Sequence, residues 1–218
     1  MPKNLNLSHT QLRRDYDSKE LLEAKLKAHP LKQFGGWFLE AVKKKVPDAN
    51  AFILATADLQ ARPCARVLLM KGYDDQGITF FTNYSSEKGI QLAQNPYGEA
   101  VFFWNQLNRQ VRIRGAIRRL DRKASLAYFH SRPQDAQIAA LISQQSRMIE
   151  SRKVLEEKFR ECRKQYQSSQ VEMPKDWGGY ILQAAKIEFW QGRPNRLHDR
   201  IVYIKNLRGR WKKIRLQP

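Results

Sequence analysis

The sequence predicts an α+β fold, a curled and nearly closed antiparallel barrel with helices around it. Three observations lead there. Strand-like segments cluster early and late in the chain, with helical segments at the start and between the clusters. Short runs alternate apolar and polar residues, as where Val111 and Ile113 interleave with Arg112 and Arg114. The strands do not alternate regularly with helices, which argues against a parallel βαβ sheet. Roughly seven short strands of this kind bury most by closing on themselves, in Greek-key-like order.

Taken in order, residues 1–16 read as a flexible polar arm and 17–218 as a single domain. Glu20–Lys27 and Leu31–Val46 read as helices, the second with Phe34, Trp37, Phe38 and Val42 near helical spacing and Pro47-Asp48 to stop it. Ala51–Ala57 and Pro63–Tyr73 are apolar, strand-like runs, and Asp74-Asp75-Gln76-Gly77 is a turn before a strand at Ile78–Asn83. Glu87–Gln94 is a short helix ended by Asn95-Pro96. Strands follow at Glu99–Asn105 and Gln110–Leu120, then helices at Arg122–His130, Gln134–Gln144 and from Ser151 to about Gln167. Residues 173–179 read as a loop, and the chain closes with strands at Tyr180–Gln191, Leu197–Lys205 and Trp211–Leu216.

The 218 residues carry 40 Lys and Arg against 21 Asp and Glu, a net charge of +19. Such a field attracts phosphates of any kind, nucleic acid included, without saying which. Most of these charges read as a solvated surface. No apolar run is long enough to cross a bilayer, and the N-terminus lacks the apolar stretch of a secretory signal. Two distant cysteines, Cys64 and Cys162, fit ordinary thiols in a reducing cytoplasm. The sequence has no glycine-rich dinucleotide fingerprint, no P-loop and no G-x-S-x-G elbow. Its four histidines lack metal-ligand spacing, so no metal site is expected. Chemistry, if present, is expected from a bound organic cofactor.

The most informative segment is Ile187–Arg200, IEFWQGRPNRLHDR. Arg196, His198 and Arg200 recur at every second position, which on a strand places two guanidiniums and an imidazole on one face. Phe189 and Trp190 offer flat apolar area for a planar ligand, although a solvated basic edge strand reads equally well. Other segments suit a phosphorylated planar ligand. Arg66–Lys71, RVLLMK, has a cation at each end, and Phe81-Thr82-Asn83 leads through Ser85-Ser86 to Lys88 at a helix start. A plain N-cap by Ser85 or Ser86 explains the latter equally simply. Tyr128 and Arg132 share a helix face, and Ser143–Ser146 supplies amides and hydroxyls for a heterocycle's polar edge.

In combination, these segments resemble the pyridoxamine 5′-phosphate oxidase family. IEFWQGRPNRLHDR is similar to that family's signature, and RVLLMK, FFTN, LNRQVRIRG, YFHSRP, QIAALISQQS, WGGY and the closing RLQP occur in its order, from about Leu12 to Pro218. The resemblance implies an FMN-binding split β-barrel and a homodimer with FMN at the subunit interface. It implies oxidation of pyridoxamine or pyridoxine 5′-phosphate to pyridoxal 5′-phosphate, with O₂ as acceptor and H₂O₂ as product. FMN would contact Arg66, Val67, Leu68, Leu69, Met70, Lys71, Phe81, Thr82 and Lys88, together with Gln110, Gln145, Ser146, Trp190 and Arg200. Substrate would contact Lys71, Tyr128, Arg132, Arg196 and His198, with Arg196 and His198 at the reacting group and Arg13 and Tyr16 on a covering arm.

Two positions depart from the family's pattern: Glu87 stands where arginine is common, and Ala136 where a serine commonly bonds the substrate phosphate. A lost hydrogen bond to a charged group costs roughly 1.5–3 kcal/mol, so weaker substrate binding is expected, not lost chemistry. The competing readings are a phenazine-type FMN oxidase, a flavin-binding relative with weak turnover, and a nucleic-acid-binding barrel with Phe102, Phe103 and Trp104 as a stacking platform. Tyr128, Arg132 and Lys71 argue against the first, because they suit a substrate phosphate. Nucleic acid is expected to bind only non-specifically.

Overall fold

The computed structural model describes residues 15, 16 and 18–218. Its strands are β1 (Ala51–Ala57), β2 (Pro63–Leu69), β3 (Gly72–Tyr73), β4 (Gly77–Asn83), β5 (Tyr97–Trp104), β6 (Arg109–Arg119), β7 (Trp177–Gln191), β8 (Asp199–Lys205) and β9 (Trp211–Leu216). All pairings are antiparallel, in the order β2-β1-β5-β6-β7-β4-β3. β2 and β3 stand at opposite ends of that order, yet only Met70 and Lys71 separate them in the chain. The sheet must therefore roll until its ends meet. The two linking residues hold the seam: Met70 N–H donates to the Asn50 carbonyl (2.9 Å) and Lys71 N–H to that of Thr79 (2.8 Å). This is why the predicted single strand Pro63–Tyr73 breaks in two.

β7 forks the barrel. One of its edges pairs with β6 over Tyr180–Gln191; the other pairs with β4 over Trp177–Gln183 and with β8 over Lys186–Gln191. The β8–β9 hairpin so leaves the barrel, which is the split-barrel architecture. A register shift at Arg114/Gly115 accommodates the curl, and a Cβ on Gly115 would fall 1.8 Å from the Gln183 carbonyl oxygen.

Inward positions are apolar and fully buried, among them Phe52, Phe80, Phe102, Ile113, Leu182 and Phe189. Each such side chain contributes roughly 1.5–3 kcal/mol. Helix α1 (Pro30–Lys43) begins with proline, whose fixed φ suits a first helical turn, and buries Leu31, Phe34, Trp37 and Ala41 along one stripe. Phe34 meets Phe102 at 5.0 Å and Trp37 meets Phe189 at 5.2 Å between ring centroids. Lys45, at φ 54°, ends the helix, and Val46 N–H reaches back to the Ala41 carbonyl.

Helices α3 (Arg122–Ser131), α4 (Gln134–Ile142) and α5 (Arg152–Gln165) form a second core from Phe129, Ile138, Val171, Met173 and Trp177 against the start of β7. Helix α2 (Glu87–Gln94) is capped by Ser86, whose hydroxyl accepts from Gly89 N–H.

Three expectations need correction. Glu20–Lys27 forms only a 3₁₀ turn at Glu23–Lys25, because the hairpin takes its backbone groups: Leu21 N–H donates to Asp199, and Lys213 donates to the carbonyls of Glu23 and Leu26. Trp177–Gly179, expected as loop, begins β7. Tertiary pairing to Phe81–Asn83 overrides the glycines' weak strand preference. Phe102 and Trp104 are core residues, so among that trio only Phe103 is exposed and no stacking platform exists there.

Candidate active site

The site residues separate into two groups at opposite ends of β7. At its Trp177 end a cavity of about 610 Å³ opens between β2 and the α3–α4 helices. Val67, Leu68, Leu69 and Lys71 line it from the seam, Phe81 and Thr82 from β4, and Tyr128, Arg132, Ala136 and Gln145 from the helical side. Met70 is within the predicted run but turns its side chain into the core, so only its main chain is left for a ligand.

Two neighbouring cations stand behind this lining. Lys88 is buried, and its Nζ donates to Gln145 Oε1 (2.7 Å), Thr82 Oγ1 (3.2 Å) and Ser86 Oγ (3.2 Å). Burial, then the neighbouring Arg66 charge, lowers its pKa to about 8, with Glu87 opposing weakly. Arg66 is held by the Thr56 hydroxyl (2.5 Å), the Leu54 and Cys64 carbonyls and Gln91. Every one of these partners is neutral. The start of α2 adds its own positive end. Adjacent cations with no carboxylate paired to either among the described residues fit a phosphate dianion. Glu87 stays exposed and accepts from Cys64 Sγ (3.5 Å), so its carboxylate is turned away from Lys88's partners.

A third cation lies across the cavity. Phe81, Tyr128 and Trp177 stack, with 3.8 Å between the first two centroids, and the Arg132 guanidinium lies 5.0 Å from the Trp177 ring. Burial lowers the Arg132 pKa, while Tyr128 partly offsets it. Its Nη1 is buried and has no hydrogen-bond partner among the described residues. Such a group calls for an acceptor supplied from outside. Ala136 lines the same cavity without a hydroxyl to offer. Ser146, at φ 70°, sits exposed in the loop after α4.

The other group lies near the Gln191 end. Strand register puts Gln110, Trp190 and Arg200 side by side in one row across β6, β7 and β8. Phe189 faces the core, fully buried, so of the predicted aromatic pair only Trp190 can meet a ligand. The period-two reading of Arg196, His198 and Arg200 holds only for Arg200. β8 starts at Asp199, and Arg196 closes a 3₁₀ turn in which Asn195 and Arg196 both take left-handed φ, 55° and 60°. Backbone of that kind costs of order 1–3 kcal/mol per residue and re-aims both side chains. His198 Nδ1 accepts from Arg193 N–H (3.1 Å), which leaves Nε2 to carry the proton of the neutral ring. Burial, then Arg196, lowers the His198 pKa. Its ring lies 4.7 Å from Trp190, and Tyr16 packs edge-on to both, over Gly192, where a Cβ would come within 2.7 Å of the Tyr16 ring. Arg13 lies outside the described residues.

An extended strand rises about 3.3 Å per residue, so the ends of β7 lie on the order of 40 Å apart along the chain. No hydrogen bond, ion pair or ring contact between described residues joins Arg196, His198, Trp190 or Arg200 to Lys71, Lys88, Tyr128 or Arg132. Sequence reasoning did not single out Thr56, Gln91, Trp177 or Glu188 as site residues. Glu188 and Trp177 stand inside recognisable segments, whereas Thr56 and Gln91 have no local signal.

Comparison with known proteins bears on both groups. Residues 38–166 match the family model described as pyridoxamine 5′-phosphate oxidase, and 177–218 that of the pyridoxine 5′-phosphate oxidase C-terminal dimerisation region. Proteins named pyridoxine/pyridoxamine 5′-phosphate oxidase from Cyanothece (44% identity over 98% of this chain and 100% of theirs) and Acinetobacter baumannii (46%, over 96% of each) are close relatives. PhzG from Burkholderia lata, solved in complex with tetrahydrophenazine-1-carboxylic acid, superposes with a TM-score of 0.87 at 25% identity, covering 92% of this chain and 99% of that one.

Proposed function

This chain belongs to the pyridoxamine 5′-phosphate oxidase family, whose cofactor is FMN, and on that premise we propose that it oxidises pyridoxamine and pyridoxine 5′-phosphate to pyridoxal 5′-phosphate. The observation that carries the reading is Arg132: a half-buried guanidinium whose buried Nη1 has no partner among the described residues, close to the Trp177 ring, in a cavity whose lining residues Thr82 and Gln145 also hold Lys88. One phosphate site for a cofactor and one for a substrate are what this reaction needs.

Lys88, Arg66, Thr82 and the seam residues would hold the FMN phosphate and ribityl chain, with Gln145 and Ser146 nearby. Lys71, Tyr128 and Arg132 would hold the substrate phosphate. Gln110, Trp190 and Arg200 would face the flavin ring, and Arg196 and His198 the substrate's reacting end, covered by Tyr16 and, in the unplaced arm, Arg13. Because the two groups lie at opposite ends of β7, each complete site takes one group from each subunit of a homodimer. The match of 177–218 to a dimerisation region supports this arrangement. When bound, FMN would supply the acceptor for the hydride leaving the carbon that bears the amine or hydroxyl, with O₂ taking the electrons to give H₂O₂ and, for the amine substrate, water hydrolysing the resulting substrate imine to release ammonia.

The protein's own contribution is orientation. Two anchored phosphates fix two ring systems against each other, and the aromatic walls exclude water. Arg196 and the Nε2–H of His198 offer hydrogen bonds and positive charge where negative charge develops. The two free cysteines suit a cytoplasmic setting. No helix among the described residues is long and apolar enough to cross a membrane.

The visible spectrum of the purified protein tests the proposal. Anaerobic pyridoxamine 5′-phosphate should bleach a yellow protein, and air should restore the colour. A yellow protein that fails to bleach with either B6 phosphate, but does so with a reduced phenazine precursor, would move the assignment to the PhzG-like reaction that the 0.87 superposition also accommodates.

A further inference from the structure

Behind the row Gln110–Trp190–Arg200 lies a second row that the reading above leaves unused. The register sets Arg112 of β6 opposite Glu188 of β7, one pleat along on the same face. Glu188 is 4% exposed, a carboxylate on the sheet's outer face that is nonetheless buried. Its Oε1 accepts from Arg200 Nε at 2.9 Å, and its Oε2 lies 3.6 Å from Arg112 Nη1. Arg112 also donates to Glu99, which takes a second bond from Arg114 Nε at 2.5 Å. Burial raises the Glu99 pKa, but these two guanidiniums outweigh it and hold the group ionised.

The chemistry of this ladder is uneven. A buried carboxylate with one partner removed leaves an uncompensated charge, so these members are tightly interdependent. Among the described residues, the Arg200 side chain has one other hydrogen bond, from Nη1 to the Gln217 carbonyl at 3.1 Å, at an exposed position. Glu188 is therefore the one buried group that sets the plane of the Arg200 guanidinium. Arginine's donors form a rigid fork, so occupying Nε with a carboxylate dictates where both terminal nitrogens aim.

We infer that Glu188 is a positioning residue for the cofactor: it turns Arg200 toward the flavin, and Arg112, backed by Glu99 and Arg114, fixes Glu188 in turn. The inference rests on the placement of Arg200 at FMN proposed above. Outer-shell partners of this type commonly change affinity by ten- to a hundred-fold where they have been removed around metal ligands.

A double-mutant cycle on FMN affinity, read by flavin fluorescence quenching on the apoprotein, tests it. Arg200→Ala should weaken FMN by roughly a hundredfold and Glu188→Gln by roughly tenfold. The double variant should be no weaker than Arg200→Ala alone, because Glu188 acts only through Arg200. Glu188→Asp, which keeps the charge, should recover part of the loss and remains testable should the glutamine variant not fold. Full additivity of Glu188→Gln with Arg200→Ala, or unchanged affinity in both Glu188 variants, overturns the positioning role. Unchanged affinity in Arg200→Ala instead removes the proposed contact itself.

Discussion

At the Trp177 end of β7, the two cations behind the cavity lining are held by neutral groups: Lys88 by Thr82, Ser86 and Gln145, and Arg66 by Thr56 and Gln91. None of the ion pairs among described residues involves Arg66, Lys71, Lys88 or Arg132. At the Gln191 end, Arg200, Arg193 and Arg112 are each paired with Glu188, Asp199 or Glu99. The first end has positive charge without compensation and so selects for anions. Apart from Arg196, the second is neutralised from within, and what its paired arginines offer a ligand is the aim of their donors. Charge supplies affinity at one end and geometry supplies orientation at the other.

The sharpest way to break this division is at Arg132. Arg132→Ala should lower kcat/KM for pyridoxamine phosphate by roughly a hundredfold or more, mainly through KM, since a charged hydrogen-bonded pair is lost. FMN affinity should stay unchanged; a parallel loss of FMN would show that the two phosphate sites are not separate.

Lys88→Met should weaken FMN by roughly ten- to a hundredfold with little effect on substrate KM at saturating FMN. The charge can also be titrated. With its pKa lowered to about 8, free Lys88 loses its proton above that pH, while bound phosphate favours the charged form. FMN affinity should therefore fall as pH rises through 8, and Lys88→Met should flatten that step. Stability of the apoprotein runs the other way. Between about 8 and the ordinary lysine value of 10.5, the unfolded chain holds the proton more tightly than the folded one, so folding gains stability as pH rises through that window. Thermal melts of the apoprotein at pH 7.5 and about 10 check the sign, with the same variant as control.

Ala136→Ser restores a donor on the cavity wall beside Arg132 and should lower KM for the substrate roughly tenfold. An unchanged KM would mean that the serine hydroxyl does not reach the phosphate. The smallest effect is expected at Glu87, which is exposed and turned toward Cys64. Glu87→Arg should tighten FMN about two- to threefold at low salt and leave it unchanged at high salt, where exposed charges are screened.

Much of the barrel is visible in local patterning. The bounds of β1, α2 and β9 follow from an apolar run, from Asn95-Pro96 and from the turn-forming residues Asn206–Gly209 before the last strand, because these segments meet no competing partner. The motif-bearing cations Arg66, Lys71, Lys88 and Arg132, proposed above for the two phosphates, are likewise legible, since phosphate recognition needs guanidinium and ammonium groups at fixed places on strands and helix starts.

Other features depend on contacts far away in the chain. The seam at Met70–Lys71 exists because opposite ends of the sheet must join, and no local propensity encodes that. Arg196 and His198 leave the strand because two left-handed residues turn the chain there, against a period-two pattern that reads equally well as extended. Thr56 and Gln91 became site residues only when β1, β2 and α2 brought them to Arg66. By itself the sequence determined the residue chemistry and the secondary-structure periods, which are set by near neighbours. The tertiary structure decided which cations go unpaired and where they aim, since both depend on partners many residues apart.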